Sequence, residues 1–200
     1  MPKITYNGID FDSEEERLFY LYLEELKANG FVKDYSYHVQ SFTLSESVKY
    51  SWIKKIKNKE KKMESTLLQG HIYTPDYWIE WTPKALGIFY YGIFDEENRL
   101  DEIPFLNNVN NEGEYSGTYV EVKPSFDMNN MQRLFAINQK WVFQEHGVYV
   151  QKVIPVGKPT CLFAKTFVPQ EAMLTAKTKV PKKYKFETKS LEDFLGGLND

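Results

Sequence analysis

The strongest constraint on the fold is the alternation of two apolar periods along the chain. Residues 13–29 repeat at helical spacing, with Leu18, Phe19, Tyr22, Leu23 and Leu26 on one stripe, Ser13 available as a cap, acids in the first turn and Asn29-Gly30 as a stop. Period two follows, in YSYHVQSFTL at 35–44, HIYTPDYWIEW at 71–81 and YVEVKP at 119–124. The helical period returns from about Asp127 to Glu145, with Met131, Leu134, Phe135, Trp141 and Val142 on a stripe closed by Gly147, and VYVQKVIPV at 148–156 ends the series as a strand. The order helix, three strands, helix, strand predicts an α/β fold with a central mixed sheet flanked by helices. Pro75 argues for an edge or a bulge within 71–81. Two stretches stand outside the pattern: lysine-rich 48–64 is predicted as an exposed helix, and 82–117, rich in Gly, Asn and acids, as a long hairpin or elaborated loop.

A chain of 200 residues with 42% hydrophobic and 16% aromatic side chains suits one folded domain rather than a disordered segment. No run approaches the length of a membrane span, and MPKITYNGID lacks the apolar centre of a signal peptide, so a soluble intracellular protein is expected. The lone Cys161 excludes a disulfide framework and a cysteine zinc site. His38, His71 and His146 lack metal-ligand spacing and read as structural or surface residues.

The formal charge of −3 opposes a strongly nucleic-acid-coating protein, but the charge is patterned. Residues 49–62 hold seven lysines against Glu60, and residues 177–189 hold six against Glu187. Acids gather in SEEE at 13–16 and in DEENRLDE at 95–102. With Tyr50, Trp52 and Tyr184 for stacking, the basic segments fit a phosphate-contacting footprint; the plain alternative is a solvated helix face and a basic tail.

Strand side chains alternate, so Tyr119, Glu121 and Lys123 share one face while Val120 and Val122 take the other. Asp76 likewise shares a face with Trp78 and Glu80, and Tyr77, Ile79 and Trp81 oppose it. If the two strands are neighbours, Asp76 and Glu121 converge. Like charges about 4 Å apart repel by about 4 kcal/mol at an effective dielectric near 20, a penalty that a divalent cation removes. Magnesium prefers hard oxygen ligands such as these, and Lys123 could orient or deprotonate an attacking water. Glu80 is a rival carboxylate on the same face, or a surface charge.

Proline-aspartate in one strand and glutamate-x-lysine in the next, with helices before and after, resembles the PD-(D/E)xK, or restriction-endonuclease-like, nuclease superfamily. Tyr73-Thr74-Pro75-Asp76-Tyr77, Tyr119-Val120-Glu121-Val122-Lys123 and the opening stretch GIDFDSEEERLFYLYLEELKANG look like phage endonuclease I type Holliday-junction resolvases and related small phage nucleases. The resemblance implies a nuclease-like core over 1–160 with insertions at about 45–70 and 82–117, and a C-terminal extension at 161–200 carrying a basic segment. It implies a Mg²⁺-dependent endodeoxyribonuclease, with Mn²⁺ able to substitute, acting in a bacterial host cytoplasm. Asp76 and Glu121 would be metal ligands and catalytic, Glu16 an auxiliary ligand, and Lys123 the water-positioning residue or base. DNA is the implied partner, held by Lys54, Lys55, Lys57, Lys59, Lys182 and Lys183, and such resolvases act as homodimers. Gln40, Gln132, Arg133 and Lys140 could reach the site or the phosphates, or simply be polar surface.

Two alternatives stay open. Ser13-x-x-Glu16 is also a capping box, in which Glu16 folds onto the Ser13 amide and does no chemistry, unless Asp12-x-x-Glu15 caps the helix instead. The other functional class is a non-catalytic nucleic-acid-binding or assembly module on the same fold. A glycosidase with a carboxylate pair would give Lys123 no role.

Overall fold

The computed structural model describes residues 4–38, 40–57, 59–93, 103–110, 112–126, 131–175 and 180–198. Val39, the acidic run 95–102, the expected helix start near Asp127, the Met131 side chain, Lys177 and Lys179 lie outside that description.

The chain opens with a hairpin of β1 (Ile4–Tyr6) and β2 (Ile9–Phe11), joined by Asn7 and Gly8 at φ 48° and 76°. Two consecutive left-handed residues make the tight turn that matches strand twist, and Asn-Gly is the pair that adopts it most readily. Helix α1 (Glu14–Ala28) follows, then β3 (Val32–Tyr37), β4 (Phe42–Ser45), β5 (Val48–Ile56), β6 (Lys59–Leu68), β7 (His71–Tyr73) and β8 (Tyr77–Trp81). The second half holds β9 (Tyr90–Gly92), β10 (Phe105–Val109), β11 (Tyr115–Val122), α2 (Met131–His146), β12 (Val150–Val153), α3 (Leu162–Lys165) and α4 (Leu191–Gly196).

The six-stranded central sheet runs β3-β8-β11-β10-β9, with β12 also on β11. It is mixed: β8 lies antiparallel to β3 and β11, while β12 lies parallel to β11 after the α2 crossover. The expected mixed α/β sheet flanked by helices is present, but three elements differ from the sequence reading. Residues 48–64 form no helix; β5 and β6 make a separate antiparallel ribbon. Val48, Tyr50, Trp52, Ile53 and Ile56 favour extended backbone, and Lys57 turns the chain at φ 50°. The stretch 82–117 includes a hairpin, one of the two alternatives expected there, since β10 lies antiparallel to β11, but it goes further, because β9 adds to the central sheet parallel to β10. Finally, 35–44 and 71–81 each break in two: β3 and β8 pair in the main sheet, while β4 and β7 pair in a sheet of their own.

Each face of the main sheet has its own core. Phe19, Tyr22, Leu23 and Leu26 of α1 join Tyr77, Ile79, Trp81, Val120 and Val122 in one buried cluster, to which Phe163, Phe167, Val168 and Leu191 from beyond residue 160 also belong. The Tyr22 and Phe167 rings stack at 4.5 Å. Each such side chain contributes about 1.5–3 kcal/mol by leaving water. Across the sheet, Phe135 and Val142 of α2 bury against Phe42, Leu44, Tyr73 and Val150. Leu134, expected on this stripe, is 53% exposed. The line that faces inward is Phe135, Asn138 and Val142, and Asn138 accepts from His71 Nε2 at 3.0 Å. None of the helices, among the described residues, is long and apolar enough to cross a membrane.

One glycine fixes the pairing that matters for the site. Gly117 sits in β11 at φ +131°, and a Cβ there would lie 2.3 Å from Trp78 Nε1. Trp78 therefore lies tight across β11 and pins the register Thr118↔Ile79, Tyr119↔Trp78, Val120↔Tyr77.

Candidate functional site

That register brings Asp76, just ahead of β8, to the second half of β11. β8 ends its pairing with β11 at Val120, and the next inward amide on that edge, Val122 N, donates to Asp76 Oδ2 at 2.6 Å. The carboxylate stands in for a missing ladder partner. Asp76 Oδ1 contacts His38 Nε2 at 3.2 Å, and its backbone carbonyl accepts from His38 N at 3.0 Å. His38 follows β3, whose Tyr37 is opposite Tyr77, and holds φ at 52°. A left-handed non-glycine residue costs about 1–3 kcal/mol, here offset by the two Asp76 contacts and a 3.9 Å stack on Tyr37.

Glu121 and Lys123 behave as an internal pair. Lys123 Nζ donates to Glu121 Oε1 at 2.5 Å, and Tyr73 OH donates to Oε2 at 2.7 Å. Glu16 arrives from the first turn of α1. Its amide caps onto Ser13 Oγ at 3.2 Å, while its carboxylate accepts from Ser13 Oγ at 2.7 Å, Asp12 N at 3.2 Å and Tyr37 OH at 2.5 Å. The expected capping box is half present: Ser13 caps the Glu16 amide, but the Glu16 carboxylate folds back onto the Asp12 amide and the Ser13 hydroxyl rather than the Ser13 amide. Its donor atoms lie within 4.8 Å of those of Asp12 and His38.

Glu16, Asp76, Glu121 and Lys123 are only 7, 9, 8 and 8% exposed. Burial lifts the Asp76 carboxyl to about 7; the charges of Glu121 and Glu16 push the same way, and the His38 contact and Lys123 oppose them. The Asp76 hydrogen bond raises the His38 pKa above its ordinary value despite burial. The Tyr73 and Tyr37 hydroxyls are pushed up, first by burial and then by their carboxylate partners, so both stay protonated donors.

Other predicted residues lie elsewhere. Glu80 pairs with Lys33 at the surface, and Gln40 accepts from Tyr119 OH at 2.7 Å. Lys54, Lys55, Lys57 and Lys59 stand on the β5–β6 ribbon, Lys182 lies 4.0 Å from Glu14, and Lys183 is exposed. Arg133 and Lys140 are exposed on α2. Gln132 and Arg133 line a cavity of about 990 Å³ between α2 and β12, which Glu16, Asp76, Glu121 and Lys123 do not line. His71 and His146 are structural: His71 stacks on Trp141, and His146 bonds the Thr43 carbonyl at 2.8 Å. The sequence reads His38 as structural or surface and Asp12 as an alternative cap; no spacing rule sets either beside Glu16, whereas the β3–β8 register carries His38 to Asp76 and the Tyr37 hydroxyl, next to His38, reaches Glu16.

No protein-family model matches this chain, and no curated protein or solved structure matches it either.

Proposed function

We propose that the protein is a metal-dependent DNA endonuclease with a restriction-endonuclease-like core, hydrolysing phosphodiester bonds by water. The observation that carries the reading is the burial of Glu16, Asp76, Glu121 and Lys123, with the charges of the other three all acting on the Asp76 carboxyl. Desolvating charges costs several kcal/mol per ion even after relaxation, so a set of this kind calls for a use. The carboxylate oxygens of Glu16, Asp76 and Glu121 are of the right chemistry for Mg²⁺ or Mn²⁺; among the described residues the donor atoms that lie within 4.8 Å of one another are those of Asp12, Glu16 and His38, a group that Asp76 and Glu121 stand outside. A bound ion would supply Lewis-acid stabilisation of the phosphate and acidify a water.

The chain's own side chains do the rest. Val122 N and His38 fix the Asp76 carboxylate, and Tyr73 fixes Glu121. Ser13 and Tyr37 fix Glu16. Lys123, held beside Glu121, orients the attacking water, takes its proton or offsets charge at the scissile phosphate.

Supercoiled plasmid and a four-way junction, each incubated with Mg²⁺ or Mn²⁺, test this. Lys123→Ala and Asp76→Ala are expected to lower the cleavage rate by about 10²–10³-fold against the unaltered protein. Equal cleavage by all three proteins removes the assignment. Metal-independent DNA retention with no cleavage by any of them identifies the non-catalytic module instead.

A further inference from the structure

Among the described residues the β5–β6 ribbon pairs with no other strand, and none of its own is buried. At about 3.3 Å per residue it is about 30 Å long. Its register divides it into two unlike faces. Tyr50↔Ser65, Trp52↔Met63, Lys54↔Lys61 and Ile56↔Lys59 lie on one side. Lys49↔Thr66, Ser51↔Glu64, Ile53↔Lys62 and Lys55↔Glu60 lie on the other.

The second side mixes charge, with Lys55 and Glu60 at 3.6 Å and Glu64 two pairs further along that face. The first side has no acid. Lys54 and Lys61 are directly opposed, a destabilising arrangement of like charges in a ribbon that has no core to offset it. Lys59 adds a third cation toward the tip. Nearer the body, Tyr50 and Trp52 remain 48% and 40% exposed, and Trp52 Nε1 donates to Ser65 Oγ at 2.9 Å, which fixes the indole plane.

We infer that this basic and aromatic face enters the major groove of duplex DNA, Lys54, Lys59 and Lys61 meeting phosphates while Tyr50 and Trp52 lie against base edges and thymine methyls. The inference rests on the endonuclease reading for the identity of the nucleic acid. The B-DNA major groove, about 12 Å wide, admits a two-stranded ribbon, whereas the narrow major groove of A-form RNA does not. Anionic walls on both sides of the groove remove the Lys54–Lys61 repulsion. The assignment revises the sequence expectation: Lys61 joins the contact set, and Lys55 leaves it for the mixed face.

The test is fluorescence anisotropy of a labelled 30-base-pair duplex in EDTA, so that binding is read apart from cleavage. It compares the unaltered chain with K54A/K59A/K61A and with K49A/K55A/K62A, which remove equal charge from opposite faces. The first triple is expected to lose affinity about 10- to 100-fold and to flatten the log–log salt slope by about three units, at about 0.9 per phosphate contact. The second triple is expected to stay within about threefold. Circular dichroism confirms that both fold, since no changed side chain is buried. Equal losses from the two triples, no loss from either, or tighter binding of the matching RNA duplex would overturn the inference. So would a dimer in sedimentation that Trp52→Ala dissociates. Failure of the endonuclease reading shows differently: the first triple loses duplex affinity, yet the unaltered chain does not cut in Mg²⁺.

Discussion

Asp76→Asn is expected to raise the melting temperature of the metal-free protein at pH 8 while lowering cleavage by about 10²–10³-fold. The acid titrates at about 7 when folded and near 3.8 when unfolded, so between those values the folded chain binds the extra proton. Stability from this group is therefore full below about pH 4 and is lost as pH rises through 7. Three units correspond to at most about 4 kcal/mol, and 1 kcal/mol moves the melting point of a chain this size by about 2–4 °C. His38 acts in the same direction: its raised pKa adds stability below its unfolded value that fades as pH climbs through the folded one. The amide of Asn keeps an acceptor for Val122 N and removes the repulsion from Glu121 and Glu16. Calorimetric scans from pH 5.5 to 8 should show a falling melting point that Mg²⁺ or Mn²⁺ recovers in the unaltered protein and recovers far less in Asp76→Asn. A flat profile shared by both proteins contradicts the account.

Gly117→Ala is expected to destabilise the protein by about 2–4 kcal/mol, because it combines a backbone conformation closed to alanine with overpacking against a fixed ring. The new methyl would meet Trp78 Nε1 at 2.3 Å, Trp78 Cε2 at 2.9 Å and the Ile79 carbonyl at 3.2 Å. If the indole moves, the β8–β11 register moves with it and Asp76 leaves its place beside Val122. Gly113→Ala is the control: its φ of +82° carries strain but its methyl would meet nothing within 4 Å, so about 1 kcal/mol is expected. Urea melts of the two variants, with cleavage measured under folding conditions, separate them.

The parts of this protein legible in its sequence are those that local periodicity governs. Ser13, the first-turn acids and Asn29 bracket α1 as expected, and Glu121 and Val122 lie in a strand beside the one that Asp76 opens. What stayed hidden depends on which strands meet. His38 looks like any strand histidine until β3 lies against β8, and β4 and β7 look like continuations of longer strands until the chain bends at His38 and at Pro75. The β5–β6 ribbon was open to recognition from its Val, Tyr, Trp and Ile content, but the density of lysine masks that signal, since lysine is also a good helix former. The Asn7-Gly8 turn, by contrast, is a local signal that needs no knowledge of strand partners.

The ribbon and the central sheet also differ in when they can form. Every pair in the ribbon lies within 48–68, and such a hairpin closes in about 1–10 μs. The site instead needs Tyr37 against Tyr77, Val120 against Tyr77 and Glu121 against Lys152, contacts that close long loops and arrive late. During synthesis the ribbon is thus complete before β11 exists, and Asp76 meets the Val122 amide only after β11 pairs with β8. On the proposed reading, a half-made chain can hold DNA but not cut it, and on dilution from urea cleavage should return only with the slowest phase of tryptophan fluorescence.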